Sequence, residues 1–260
     1  MADLEYEVSD GIGTILLNRP DRKNAFTLGM VDEWAAALRA ARSQPEVRVV
    51  VVTGAGQAFC SGVDLDAFHA EERSVLEHKM MLTERIHRVA HALEDLDKPV
   101  IAAVKGVAVG AGMDMALMCD MRFAGASARF SEGYVKVGLV PGDGGCYFLP
   151  RLVGTAKALE LLWTGDFVDA DEAARLGIVN HVYPDDELIP RTYELARRLA
   201  DGPPIAIQMI KRAVYQSSQL DLRTALDLIS SHLAIVQSTH DSKEAFEAFR
   251  QKRKPVFEGR

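Results

Sequence analysis

Apolar positions along the chain change their spacing near its middle. In the first half, short runs of Val, Ile and Leu alternate with stretches of helical period. "GTILLN" (13–18) reads as a strand that ends at the Asn-Arg-Pro turn. Thr27 is placed to cap a helix with Val31, Trp34, Leu38 and Ala41 on one face. "VRVVVVTG" (47–54) is a buried strand closed by Gly54. "KPVIAAVKG" (98–106) is another, opened by Pro99 and stopped by Gly106. Such alternation predicts an α/β fold.

The second half is helix-rich. "DADEAARLG" (169–177) offers Asp169 and Glu172 as a capping box, with Gly177 as the stop. Pro203 and Pro204 stand where a first helical turn tolerates them. A long helical pattern follows from Asp221, and a second capping box, Asp241 to Glu244, starts the last helix. The pattern divides the chain into an α/β core over 1–200 and a helical region over 201–260. That region is free to pack on its own core or to reach a neighbouring subunit.

Composition narrows the class. With 260 residues, 48% hydrophobic and 26% charged, the chain is a soluble globular protein long enough for a sizeable core. A net charge of −7 argues against a nucleic-acid partner, whose phosphates demand Lys and Arg. Cys60, Cys119 and Cys146 are too few and too scattered for a disulfide frame or a metal site. They suit a reducing, cytoplasmic compartment. No apolar run approaches the ~20 residues of a membrane span. "MADLEYEVSDG" is acidic and has no basic stretch leading into an apolar one, so no leader is expected.

Three glycine-marked segments could carry chemistry: "GAGQAFCSGVDLDAF" (54–68), "KGVAVGAGMDMAL" (105–117) and "KVGLVPGDGGCYFLPRLVG" (136–154). In the second, Gly110-Ala111-Gly112 opens a helix near Met113. The first-turn N–H groups of a helix have no internal partner and suit an oxygen that gains charge, or a phosphate. The same glycines also serve as a tight strand–helix packing turn. Asp114 is a lone carboxylate among Met113, Met115, Ala116, Leu117 and Met118. It is either a proton-transfer group or an acid that complements the helix dipole, and both readings stay open. His69, His78, His87 and His91 fall in a polar stretch without ligand spacing and read as solvated. Hydrolase-elbow, zinc-protease and P-loop motifs are absent.

Taken together, "NRPDRKNAF", "VVVTGAGQAFCSGVDL", "KPVIAAVKGVAVGAGMDMALMCD" and "FSEGYVKVGLVPGDGGCYFLPRLVG" resemble the enoyl-CoA hydratase/isomerase, or crotonase, superfamily. So do "LWTGDFVDADEAARLGIVN" and the closing "EAFRQKRKPVF". The match runs over nearly the whole chain, in order. The resemblance implies a spiral core of ββα units followed by a helical trimerisation region, in trimers or dimers of trimers. It implies a coenzyme A thioester as substrate, so that coenzyme A arrives with the substrate and no separate cofactor is expected.

Matched residue by residue, the resemblance makes the backbone N–H groups of Val63 and Ala111 the oxyanion donors and Asp114 the first catalytic acid. At the second acid's place the chain has Tyr134; Glu132 lies two residues earlier and is not aligned with it. Asp143 in "PGDGG" stands one residue later than an acid that some isomerases carry. For coenzyme A the resemblance points to Ser61, Val63, Leu65 and Arg22, and to Phe249 and Lys252 of a neighbouring subunit. The expected activity is hydration of a trans-2-enoyl-CoA to a 3-hydroxyacyl-CoA. Double-bond isomerisation, thioester or C–C hydrolysis, and a non-catalytic acyl-CoA-binding scaffold are the alternatives.

Overall fold

The run Val49–Val52 is apolar at every position because its strand is covered on both faces. Successive strand side chains point to opposite sides. Val49 and Val51 belong to one apolar cluster, Val50 and Val52 to the other. An uninterrupted apolar strand is the mark of a sheet with layers on both sides.

The computed structural model describes residues 2–68 and 73–260. Its strands are β1 (Leu4–Ser9), β2 (Ile12–Leu17), β3 (Val49–Gly54), β4 (Val100–Val104), β5 (Val107–Val109), β6 (Met121–Gly125), β7 (Arg129–Ser131), β8 (Val168–Asp169) and β9 (His181–Tyr183). One sheet has the order β1-β2-β3-β4-β6-β9, antiparallel at β1–β2 and parallel from β2 onward. A smaller sheet has the order β5-β7-β8. The chain alternates between the two: β4 then β5, β6 then β7, β8 then β9. This alternation advances both sheets together as a spiral, as the resemblance implies.

The helices are α1 (Leu28–Ser43), α2 (Leu65–Phe68), α3 (Val75–Met81), α4 (His87–Glu94), α5 (Ala111–Leu117), α6 (Gly145–Val153), α7 (Thr155–Thr164), α8 (Ala170–Arg175), α9 (Asp185–Ala200), α10 (Pro204–Ser217), α11 (Leu222–Ser238) and α12 (His240–Gln251). Thr27 caps α1 by accepting from the Met30 N–H, and Val31, Trp34, Leu38 and Ala41 are all buried. Burying Val31 or Leu38 stabilises by roughly 1.5–3 kcal/mol each. On the far face, α9 sets Leu188, Ala196 and Ala200 against Ile12, Val49, Val51, Ile101 and Phe123. None of the described helices is long and apolar enough to cross a membrane.

Two capping expectations need correction. At α8 the Asp169 side chain accepts from the Glu172 N–H, but the Glu172 carboxylate pairs with Arg175 instead of turning back. At α12 the cap is Thr239, two residues earlier than expected. Asp241 is buried and accepts from the N–H groups of Glu258 and Gly259, which ties the C-terminal tail to the helix start. Glu244 is taken by Arg253. The long helix from Asp221 and the proline start of α10 stand as expected, and the Asp221 side chain caps α11. Within one chain, α11 leaves Leu226 52% and Leu233 55% exposed, with Ile229 and Ile235 also exposed.

Candidate active site

Buried polar groups fix the wall that carries Val63. Asn24 is fully buried with a left-handed backbone (φ 56). Its amide donates to the carbonyls of Ala55 at 2.9 Å and Ala58 at 2.8 Å, and its Oδ1 accepts from the Arg19 N–H at 2.9 Å. Arg19 donates to the Ala25 carbonyl at 2.6 Å and pairs with Asp64 at 2.9 Å. "NRPDRKNAF" is therefore a brace that pins residues 58–64 in place.

Those residues run beside β5. Cys60 bridges Ala108 in parallel, with the Cys60 N–H on the Val107 carbonyl at 3.1 Å and the Val109 N–H on the Cys60 carbonyl at 3.0 Å. Beyond that bridge a Cβ built on Gly62 would stand 3.7 Å from the Ala111 nitrogen, so the turn leading into Val63 lies against the start of α5. The Phe26–Val63 bridge uses the Gly62 carbonyl and the Asp64 N–H, so the Val63 N–H is outside it. Ala111 opens α5, where N–H groups lack intrahelical acceptors. Gly62 makes the approach possible. Its φ is +97, and a Cβ there would stand 2.8 Å from the Val109 carbonyl oxygen.

Asp114 lies one turn into α5 and is fully buried. The Tyr134 hydroxyl, on a short 3-10 turn at Gly133–Val137, lies 2.7 Å from its Oδ2. The same hydroxyl lies 3.0 Å from Oδ2 of Asp143. A phenol has one proton. Both contacts are hydrogen bonds only if one of the two carboxyls also carries a proton. Asp143 does not cap α6, whose cap is Gly144 with no side-chain bond.

The electrostatics agree with a shared proton. Burial, and then the Asp143 carboxyl, push Asp114 up to about 7, while the Tyr134 hydroxyl, Glu132 and the Gly145 N–H act the other way. Burial raises Asp143 as well, opposed by the Tyr134 hydroxyl and by His87. Burial and both aspartates hold Tyr134 well above the ordinary phenol value, so it keeps its proton.

Two members of the site escaped the sequence reading. Glu132, set aside as unaligned, is 1% exposed and faces Asp114 across Gly145. Burial and then Asp114 push it up to about 10. A carboxyl directly after the buried pair Phe130 and Ser131 was the available signal. His87, read as solvated, is half-buried, and its Nε2 lies 2.8 Å from the Gly142 carbonyl, next to Asp143. A turn of π-helix at Leu82–Ile86 precedes it. The extra residue rotates His87 by roughly 100° from where a 3.6-residue period puts it. His78 and His91 are exposed, as expected. His69 lies outside the described residues.

The coenzyme A candidates divide. The Ser61 N–H donates to the Lys23 carbonyl at 3.0 Å, its hydroxyl to the Arg22 carbonyl at 3.3 Å, and Leu65 is exposed at the start of α2. The Arg22 side chain is exposed and reaches Asp66 at 3.4 Å. These three lie together beside Val63. Phe249 on α12 and Lys252 at its C-cap are exposed, and no hydrogen bond or ion pair among the described residues joins them to this group. Two surface depressions, one by Thr14 and Tyr193 and one by Arg197 and Phe257, are lined by none of the cluster's residues. Among the described residues no group of three or more His, Cys, Asp and Glu side chains is set to hold a metal ion.

Comparison with known proteins gives the arrangement a context. The family described as enoyl-CoA hydratase/isomerase matches residues 7–260. The chain is 35% identical over 258 residues to the crotonyl-CoA hydratase of Syntrophomonas wolfei, covering 96% of each. It is also 35% identical over 254 residues to the 1,2-epoxyphenylacetyl-CoA isomerase of Escherichia coli, covering 97% of each. The crystal structure of an enoyl-CoA hydratase from Bacillus anthracis superposes with a TM-score of 0.94 at 32% identity, over the full length of both chains.

Proposed function

The chain belongs to the enoyl-CoA hydratase/isomerase family and is an enzyme of it, and from that premise we propose that it adds water to a trans-2-enoyl-CoA. One observation carries the reading: Asp114, Tyr134 and Asp143 form a hydrogen-bonded chain of 2.7 and 3.0 Å. Such a chain offers an ionised base and a protonated acid at once. Asp114 takes a proton from water as the hydroxyl oxygen bonds to Cβ. The displaced π electrons move to the thioester oxygen, which the N–H groups of Val63 and Ala111 hold as an enolate. Asp143 returns a proton to Cα. Tyr134 passes the proton from Asp114 back to Asp143, so the cluster is restored. All proton and charge handling is done by this chain, and the reading calls for no cofactor.

In this reading Arg22 and the backbone at Ser61, Val63 and Leu65 hold coenzyme A, helped by Phe249 and Lys252 of a neighbouring subunit. The exposed apolar face of α11 supports a homotrimer or a dimer of trimers. Light scattering that shows a stable monomer at micromolar concentration contradicts the assembly. Free thiols at Cys60, Cys119 and Cys146 suit a reducing cytoplasm.

One observation favours a second reading. The Tyr134 hydroxyl occupies the position between the two carboxyls where a water would bridge them, and excluded water favours moving a proton between two carbons. Crotonyl-CoA in heavy-oxygen water separates the two. Hydration removes the enoyl absorbance and places heavy oxygen in the product. A flat trace, together with a rise in enoyl absorbance from a 3-enoyl-CoA, replaces hydration with isomerisation.

A further inference from the structure

Glu132 has no place in the chemistry above, yet it is the most enclosed carboxyl beside it after Asp114. It directly follows β7 and stands at the N-cap of the 3-10 turn that carries Tyr134. Both of its side-chain oxygens are buried with no donor in reach. The other buried oxygen in that position nearby is Oδ1 of Asp114. The two carboxyls converge over Gly145: a Cβ built there would stand 2.5 Å from Asp114 Oδ1 and 2.8 Å from each Glu132 oxygen. Any side chain at 145 would drive them apart.

Ionised carboxylates only accept hydrogen bonds, and two of them cannot satisfy one another. A single proton lets one carboxyl donate to the other and so partners two of the three orphaned oxygens, one on each residue. The surroundings decide which. Asp114 has donors of its own in the Tyr134 hydroxyl and the Gly145 N–H, which favour its charge. The influences on Glu132 are burial and then the Asp114 carboxyl, the Cys146 thiol and the Asp143 carboxyl, all of which oppose its charge. The proton therefore belongs on Glu132.

We propose that Glu132 is a positioning residue for the reaction: as a neutral acid it donates to Asp114 Oδ1, fixing that carboxylate with Oδ2 toward Tyr134 and keeping it ionised for proton abstraction. The inference rests on the reading of Asp114 as the base. It assigns the two oxygens of Asp114 different tasks, one held by Glu132 and one engaged in the Tyr134 chain.

Two substitutions and two readouts test it. Glu132→Gln keeps a donor of the same shape, and Glu132→Met keeps the bulk without one. Circular dichroism first establishes that each is folded. A hydrogen bond to a charged group supports its ionisation by roughly one to two pH units. The ascending limb of kcat/KM therefore moves up by about that much in Glu132→Met and stays near wild type in Glu132→Gln. A limb that moves down in Glu132→Met shows that Glu132 was a charged neighbour repelling Asp114, and overturns the proposal. So does an unmoved limb, or a Gln variant that behaves like Met.

The second readout needs no turnover. Infrared spectra of the unliganded protein at about pH 9, between the values of Asp114 and Glu132, are expected to show the C=O stretch of a protonated carboxyl. Glu132→Gln removes that residue's share of the band, read as a loss at the C=O stretch in the difference spectrum against wild type. No difference between the two at the C=O stretch, or no band in wild type, refutes the inference. A band that behaves as expected while turnover is indifferent to Asp114 refutes only the catalytic reading.

Discussion

Asp114 and Asp120 stand six residues apart, each enclosed beside a tyrosine hydroxyl, one in the first turn of α5 and the other just before β6. Asp120 accepts from the Tyr215 hydroxyl at 2.9 Å, the Val100 N–H at 2.7 Å and the Lys211 ammonium at 2.7 Å. Its charge is balanced and its oxygens are occupied, so it anchors α10 to the start of β4. Asp114 accepts from Tyr134, but its other titrating neighbours are the acids Asp143 and Glu132. The cost of a buried charge is offset by a cation at one site and by a shared proton at the other. A proton can move during a reaction; the Lys211 pair holds a helix.

The comparison can be broken at either end. The largest effect is expected in the pH dependence of stability. Asp114 titrates at about 7 in the fold against an ordinary value of 3.8. Between those values the native state binds more protons than the unfolded chain, so wild-type stability falls as pH rises through the window. Asp114→Asn lacks the share of that decline that Asp114 contributes. Its advantage in urea unfolding grows from near zero at about pH 4 to about 4 kcal/mol above about pH 7, where it levels off. A constant difference across this range contradicts the raised value.

Next comes the structural aspartate. Asp120→Ala leaves the Lys211 ammonium without its counter-ion, with the two side chains only 16% and 13% exposed in the native pair. Unfolding free energy is expected to drop by about 3 kcal/mol, with turnover of the folded fraction unchanged. A loss of turnover without a loss of stability would erase the distinction between the two sites. The smallest effect belongs to Tyr134→Phe, which removes the hydroxyl between Asp114 and Asp143. Losing a hydrogen bond to a charged group costs about 2 kcal/mol, read here as a fall in kcat of roughly 10- to 100-fold. Because the hydroxyl lowers Asp114, its ascending pH limb moves upward. An unchanged rate and limb remove Tyr134 from the proton chain.

The α/β class, β2, β3, β4, the α1 face and the α5 turn were legible because each rests on local spacing or a local cap. β1 was not read although Leu4, Tyr6 and Val8 alternate with Glu5, Glu7 and Ser9; in the fold the strand lies at the sheet edge, and its burial fades from Leu4 to the exposed Glu7–Ser9. The α12 cap was missed because Asp241 answers to Glu258 and Gly259, a demand that comes from residues far along the chain. At the site, Asp114, Tyr134 and Asp143 were named singly, but nothing in their spacing states that one hydroxyl touches both acids. Glu132 and His87 were hidden for different reasons. Glu132 meets Asp114 through tertiary packing over Gly145, and His87 is turned inward by a π-helical residue that shifts the period.

The central claim is that Asp114 moves the proton. Its most direct test is the kcat of Asp114→Asn, measured beside wild type on whichever enoyl-CoA the wild type turns over, together with the Kd of that thioester. Asn keeps the shape of the side chain and removes the base. The account predicts a loss of roughly 10²–10⁴ in kcat with thioester affinity nearly unchanged. Full turnover by folded Asp114→Asn would contradict it and leave Asp114 an acid that only complements the start of α5.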